Sequence, residues 1–369
     1  MYMKAVVISV LALLVLQHAV KLYFRMDYNK HIFNHYPGPC HQVQGMGIGS
    51  EDMHLTDNGI VFISSGFRVQ ESPPAYDKFY SENNGRGRIY LFDMNNPKKE
   101  VQEMSLTSTK EFDKDRFQPH GISVWEDKKT GKLYLYAVNH EKDGEEKIEK
   151  FLVSVAKLSL QHLKSYFGDP TIKRMNDVVA TGENSFYFTN SHSSVSRAGL
   201  QLELLSLMAL ADVGVHDGTG YRTVADGIIV ANGIQMSRDG KYVFVAGSMG
   251  QDLKIYERWN NNSLTLKQSY AFHTFPDNIM EDPVSGDLYI AFHPIGYLLF
   301  QHLEDPSVET PSQVLQVKLK EGTVSSVTEL FVDDGHLLSG SSVAVVYKKK
   351  MLIGSVINKL VYCDVNVPL

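Results

Sequence analysis

The stretch FPDNIMEDPVSGDLYIAFHP, residues 275–294, holds two signals that do not belong together. Its second half reads as a strand: Leu288, Ile290 and Phe292 alternate with other side chains after a turn at Ser285-Gly286. Its first half puts Asp277 and Asn278 where a paired strand should begin. A carboxylate beside an amide is a poor start for a strand that must be buried, because polar groups taken out of water need new partners.

The arrangement recurs along the chain. It is found again in SEDMHLTDNGIVFISSG (50–66), PHGISVWEDKKTGKLYLYAVNH (119–140), MNDVVATGENSFYFTNSH (175–192), ANGIQMSRDGKYVFVAG (231–247) and GSSVAVVYKKKMLIGSV (340–356). Each stretch has a polar residue or pair, a short strand, a turn, and a second strand rich in Tyr, Phe, Val and Ile. The turns are Asn58-Gly59, Thr130-Gly131, Glu183-Asn184, Asp239-Gly240, Ser285-Gly286 and Lys349-Lys350, several of them good hairpin dipeptides. Further strand-like runs lie between the hairpins, such as RIYLFDM (88–94), FLVSVAKLSL (151–160) and LKIYERW (253–259). Four strands in each of six units predict an all-β chain folded as a six-bladed β-propeller. A large β-sandwich would not explain six hairpins with the same leading polar position.

In a propeller the starts of the innermost strands surround one central channel. The six units carry there Glu51-Asp52, His120, Asn176-Asp177, Asn232, Asp277-Asn278 and Ser341-Ser342. Four carboxylates around a narrow channel repel one another unless a cation neutralises them. Carboxylates mixed with amide carbonyls suit Ca²⁺, whereas zinc would ask for Cys or several His. His120 stands at the level of the acids, and His140 ends the outgoing strand of the same hairpin. The two form a candidate general-base pair. His192 and His293 end the corresponding strands of units three and five and are candidate substrate contacts.

The chain has 369 residues, a formal net charge of -6 and 43 % apolar residues, a composition able to bury a full core. No basic stripe is available for phosphates, so nucleic acid is not expected as a partner. Lys348 to Lys350 read as a solvated hairpin tip. Residues 1–25 contain an apolar run behind Lys4 that fits a signal peptide or an uncleaved signal-anchor, leaving 26–369 for the propeller. Either reading sends the bulk of the chain into the secretory pathway. The two cysteines, Cys40 and Cys363, either pair there, stapling the ring where the chain closes, or are separate buried thiols. Asn261-Asn262-Ser263 is a glycosylation sequon. Residues 199–215, GLQLELLSLMALADVGV, break the strand rhythm and predict a helix, either packed on the propeller or serving as a lid that touches lipid.

These segments together resemble the paraoxonase/arylesterase family. The likeness is carried by GSEDMHLTDNGIVFISSG, FQPHGIS, AVNH, NDVVA, ANGIQMSRDGKYVFVA, DNIMEDPVSGDLYIAFHPIG and GSSVAVVYKKKMLIGSV, spread in family order from Cys40 to Cys363. The resemblance implies a propeller with two channel Ca²⁺ ions, a Cys40–Cys363 disulfide, and hydrolysis of lactones and aryl esters. It implies Glu51, Asn176, Asn232, Asp277 and Asn278 as ligands of a catalytic calcium. Asp52, Asp177 and the backbone carbonyl of Ile122 would hold a structural one, with His120 and His140 as the histidine pair. It also implies an N-terminal segment often kept uncleaved, and a protein that is extracellular or membrane-anchored with the propeller on the non-cytoplasmic side. Two stretches depart from the family pattern: Asn190-Ser191-His192 lacks an acid beside its histidine, and the segment 199–215 is aliphatic rather than aromatic. Some relatives act as membrane-anchored assembly factors, so a calcium-stabilised scaffold for membrane proteins is the alternative expectation.

Overall fold

In the computed structural model, residues 2–68, 72–141, 144–194 and 196–369 are described. Met1, with which the expected segment 1–25 begins, lies outside them. The strands form six sheets, and the first strand of each packs against the first strand of the next until the ring closes. These inner strands are Met53–Leu55, Pro119–Asp127, Arg174–Gly182, Ala231–Met236, Phe275–Glu281 and Ser341–Tyr347, one for each of blades 1 to 6. Each inner strand turns back into an antiparallel neighbour, and the blade then runs outward. Blade 2 gains a fifth strand, Ser105–Leu106, paired parallel to its outer edge.

The six-bladed propeller expected from the repeats is the fold found. The reason is packing. Each blade is apolar on both faces, and an apolar cluster fills the wedge between each pair of neighbouring blades. Between blades 2 and 3, for example, Tyr136, Val138 and Ile148 meet Val178, Phe186 and Phe188, all of them buried. Replacing such a phenylalanine by alanine costs about 3–5 kcal/mol.

The ring closes through its last blade. Cys40–Gln42 is the outermost strand of blade 6, antiparallel to Val361–Asp364, with Cys40 directly opposite Cys363. The two cysteines are joined by a disulfide, so pairing replaces the alternative of two free thiols. The first and last strands of the ring are thus held by one covalent bond and one strand pair.

Two sequence expectations shift. The last hairpin turns at Lys348-Lys349, one residue earlier than expected. Both lysines have positive φ, 49° and 61°, and Tyr347 pairs with Lys350 across them, as a two-residue mirror-image turn requires. The helix expected over 199–215 spans Arg197–Ser206 only. Leu207 takes a left-handed conformation that ends it, and Ala211–His216 is the buried third strand of blade 3. Val213 and Val215 are fully enclosed there, and packing on the sheet overrides the helical spacing of the leucines.

Four α-helices are described: α1 (Tyr2–Arg25), α2 (Pro74–Glu82), α3 (Arg197–Ser206) and α4 (Gly296–Glu304). Helix α1 has no buried residue over its length, yet its end is docked. Leu22 and Met26 join a cluster with Leu204, Leu207, Met249, Phe275 and Phe300. Arg25 donates to the Gly250 carbonyl at 2.8 Å, and the enclosed Asp27 accepts from the Gly296 amide at 3.1 Å, where α4 begins.

Candidate active site

The polar residues that opened each repeat share one backbone feature. In blades 2 to 5 the inner strand carries one residue more than its partner at this point. Pro119 faces Asn139 but Ile122 faces Ala137; Met175 faces Asn190 but Val178 faces Phe188. Ala231 faces Gly247 but Ile234 faces Val245; Pro276 faces Phe292 but Ile279 faces Ile290. These are β-bulges, which re-aim side chains that a regular strand would send to opposite faces. His120, Asn176-Asp177, Asn232 and Asp277-Asn278 all lie on them. Two glycines permit the close approach of neighbouring bulges: a Cβ at Gly121 would strike Asp177, and one at Gly233 would strike Asn278 and Asp277.

The donors divide into two groups. Asp52 and Asp177 are almost wholly buried, and each is held by two backbone amides, one from the next blade. Asp52 accepts from Met53 at 2.8 Å and Ile122 at 2.6 Å; Asp177 accepts from Val178 at 2.7 Å and Ile234 at 2.7 Å. A cavity of about 10 Å³ is lined by Asp52, Ile122, Asp177 and Ile234 among others. Burial, and then the charge of Glu51 for Asp52 and of Asp52 for Asp177, pushes both carboxyls well above the ordinary range.

The second group holds Glu51, Asn176, Asn232, Asp277 and Asn278. Glu51 Oε1 accepts from Asn278 Nδ2 at 2.9 Å, and the Glu51 carbonyl accepts from Ser342 Oγ at 2.6 Å. Asp277 Oδ2 is 2.7 Å from His293 Nε2. Four buried oxygens here have no hydrogen-bond partner among the described residues: Glu51 Oε2, Asn176 Oδ1, Asn232 Oδ1 and Asn278 Oδ1. An unmade hydrogen bond at a buried polar atom costs about 1–3 kcal/mol, so four such oxygens from four blades call for a shared partner. Burial and the nearby Asp277 charge raise the Glu51 carboxyl well above its usual range. The donor set fits calcium in kind, because it is all oxygen and mixes carboxylates with amides. Among the described residues no three Asp, Glu, His or Cys side chains by themselves make a metal-holding group. The amides are needed to complete this one.

The two histidines of blade 2 meet as the hairpin suggested. His120 Nδ1 is 2.8 Å from His140 Nε2, and His120 Nε2 is 3.3 Å from Glu51 Oε1. Both rings are buried. Desolvation, and then His140, pushes the His120 imidazole down to about 3, which favours its neutral form. The ring of Phe67 stacks on His120 with centroids 4.1 Å apart and meets His140 edge-on at 5.5 Å. Phe67 is held in turn by Tyr76, whose hydroxyl donates to its carbonyl at 2.6 Å.

The other two histidines differ from each other. His293 bonds Asp277 and so stands beside the oxygen donors. His192 accepts or donates to Ser191 Oγ at 2.8 Å, makes no hydrogen bond to the acids, and is pushed down to about 4 by burial and then by Arg174. Sequence reading missed Phe67 and Glu146, and placed Ser342 at the channel without its bond to the Glu51 carbonyl. Glu146 lies directly across the hairpin from His140, with Oε1 2.9 Å from His140 Nδ1. An acid in a strand edge carries no signal of its own, and only the register reveals it.

Comparison with known proteins bears on most of the chain. The family model described as Arylesterase matches residues 35–365. Human serum paraoxonase/arylesterase 1 is 37 % identical, over 88 % of this chain and 88 % of its own length. Rat serum paraoxonase/lactonase 3 is 35 % identical, over 89 % of each chain. Among solved structures, a luciferin-regenerating enzyme superposes with a TM-score of 0.53 at 11 % identity, covering 90 % of this chain and 100 % of its own. That last likeness is one of fold.

Proposed function

This chain belongs to the arylesterase family, and we infer from that membership and from the channel chemistry that it is a carboxylic ester hydrolase acting on lactones and aryl esters. The observation that carries the reading is the group of four unpartnered oxygens, on Glu51, Asn176, Asn232 and Asn278, next to the His120–His140 pair. Those four residues with Asp277 are the proposed holders of one Ca²⁺. Asp52, Asp177 and the Ile122 carbonyl are the proposed holders of a second, beside the small cavity. Calcium bound at the first position would polarise an ester carbonyl and stabilise charge developing on its oxygen.

The protein's own groups do the rest. His120 accepts the proton of the attacking water, and His140 stands behind it. Phe67 covers both rings and keeps bulk water from them. His293 orients Asp277, as a partner behind a ligand does. The Arg68–Asp77 pair at 2.6 Å ties the segment carrying Phe67 to helix α2.

Placement follows from the surface. Helix α1 has 24 residues, an 18-residue stretch of mean hydropathy 2.1 and no buried residue, so lipid is its proposed environment. Leu202, Leu205, Met208 and Leu210 are exposed on and after α3, and His18 of α1 bonds the Leu205 carbonyl at 2.7 Å. The two helices together form the proposed lipid-facing side. The docked Leu22, Met26 and Asp27 favour an N-terminal segment that stays attached. The disulfide supports an oxidising compartment as the proposed home of the propeller, and the exposed Asn261 is a proposed glycosylation site there.

The test is hydrolysis of phenyl acetate and δ-valerolactone by the purified full chain supplied with calcium. Turnover above a heat-denatured control supports the reading. A folded, calcium-loaded chain that turns over neither contradicts it, and fits a scaffold instead.

A further inference from the structure

His140 has a third partner that gives the histidine pair a direction. Glu146 follows the loop after His140 and pairs with it in register across the hairpin. Both of its carboxylate oxygens are 2.9 Å from His140 Nδ1. The Glu146 side chain is 18 % exposed, and among the described residues its buried Oε2 has no partner besides His140.

We propose that Glu146 is a positioning residue that fixes the tautomers of His140 and His120, so that His120 Nε2 is the proton-accepting atom. The argument uses only donors and acceptors. An ionised carboxylate can only accept, so the proton between Glu146 and His140 sits on His140 Nδ1. A neutral imidazole carries one ring proton, which leaves His140 Nε2 as an acceptor. That atom is 2.8 Å from His120 Nδ1, which must then be the donor. His120 in turn carries its proton on Nδ1, and its Nε2 is left with a free lone pair. Nε2 is the atom that points toward Glu51, at 3.3 Å, on the side of the candidate calcium ligands.

Without Glu146 the pair has no such bias. The His120–His140 hydrogen bond forms equally well in the reverse sense, with His140 Nε2 donating. In that state His120 Nε2 bears a hydrogen and cannot take a proton from water. A carboxylate behind a histidine selects the working tautomer and ring orientation in other hydrolytic sites by the same logic. The further residues that steady this strand end are separate: Asn139 bonds the buried Glu149 at 3.0 Å and the Gln118 amide at 2.9 Å, holding the backbone at His140.

The proposal rests on His120 as the base, and the experiment separates the two. E146Q and E146A are made in the full-length chain, with H120Q and the double variant H120Q/E146Q alongside. Phenyl acetate hydrolysis is measured with calcium saturating. E146Q keeps the shape but not the charge, and is expected to lower kcat about 10- to 100-fold with KM changed by less than about twofold. In the H120Q background the same change should add no further loss, because there is no base left to orient. If E146Q and E146A keep kcat within about twofold of the parent while H120Q is inactive, the positioning role is overturned and the base survives. If H120Q itself keeps full activity, the base assignment falls first. E146Q decides the matter where E146A does not fold.

Discussion

His293 Nε2 lies 2.7 Å from Asp277 Oδ2, so the last residue of one strand of blade 5 steadies an acid at the bulge of its neighbour. Both side chains are about 5 % exposed. Replacing His293 by Asn should leave Asp277 free to turn away from the neighbouring oxygens. The expected outcome is a calcium affinity weaker by about 10- to 100-fold, with kcat restored at saturating calcium. Calcium titration followed by activity checks it. An unchanged midpoint would remove His293 from the support of the site.

His120 faces the candidate calcium ligand Glu51 on one side and His140 on the other. H120Q should lower kcat for both esters and lactones by about 10²- to 10⁴-fold. Its melting temperature should still rise with calcium, because none of the oxygen donors has been changed. A loss of calcium response in H120Q would mean that the histidine is a ligand or a structural member instead of a base.

How much of this was legible beforehand depends on the residue. The turns, the strand alternation and the repeated polar pair were enough to read six blades, because every blade repeats the same local chemistry. The positions of Glu51, Asn176, Asn232 and Asp277-Asn278 were legible because buried strands otherwise exclude such residues. The bulges that aim them were not, since a bulge is a change of pairing count and leaves no composition behind. Glu146 was illegible for the same reason: its meeting with His140 is set by hairpin register alone. The helix over 199–215 was read too long because Leu210 to Val215 fit a helical face and a buried strand equally well. Only the neighbouring strand of blade 3 decides between them.

The Cys40–Cys363 bond spans 323 residues of sequence and secures a strand of only three residues. C40S or C363S should lose about 5 kcal/mol by the chain-entropy relation for loops of this size, and melt well below the parent. The double variant should match the singles. Melting in the presence and absence of reductant gives the same comparison on the unaltered chain. Melting that is indifferent to reductant would show that blade 6 closes without the bond.

Glu281 ends the inner strand of blade 5, and burial pushes its carboxyl up to about 7. The folded chain therefore keeps a proton that the unfolded chain has released, so this group's contribution to stability falls as pH rises from about 4.5 through about 7. E281Q mimics the protonated form and removes that loss. It should melt with the parent near pH 5 and above it near pH 8, by about 2–4 °C. Parallel melting curves at both pH values would contradict the shift.

The central claim is that the channel oxygens bind calcium and that hydrolysis depends on it. The most direct measurement is phenyl acetate turnover by the full-length chain before chelation, after chelation with EGTA, and after calcium is returned. Turnover lost with EGTA and restored by calcium, with a matching fall and recovery of the melting temperature, is the expected result. Turnover that persists unchanged in the chelated protein would contradict it.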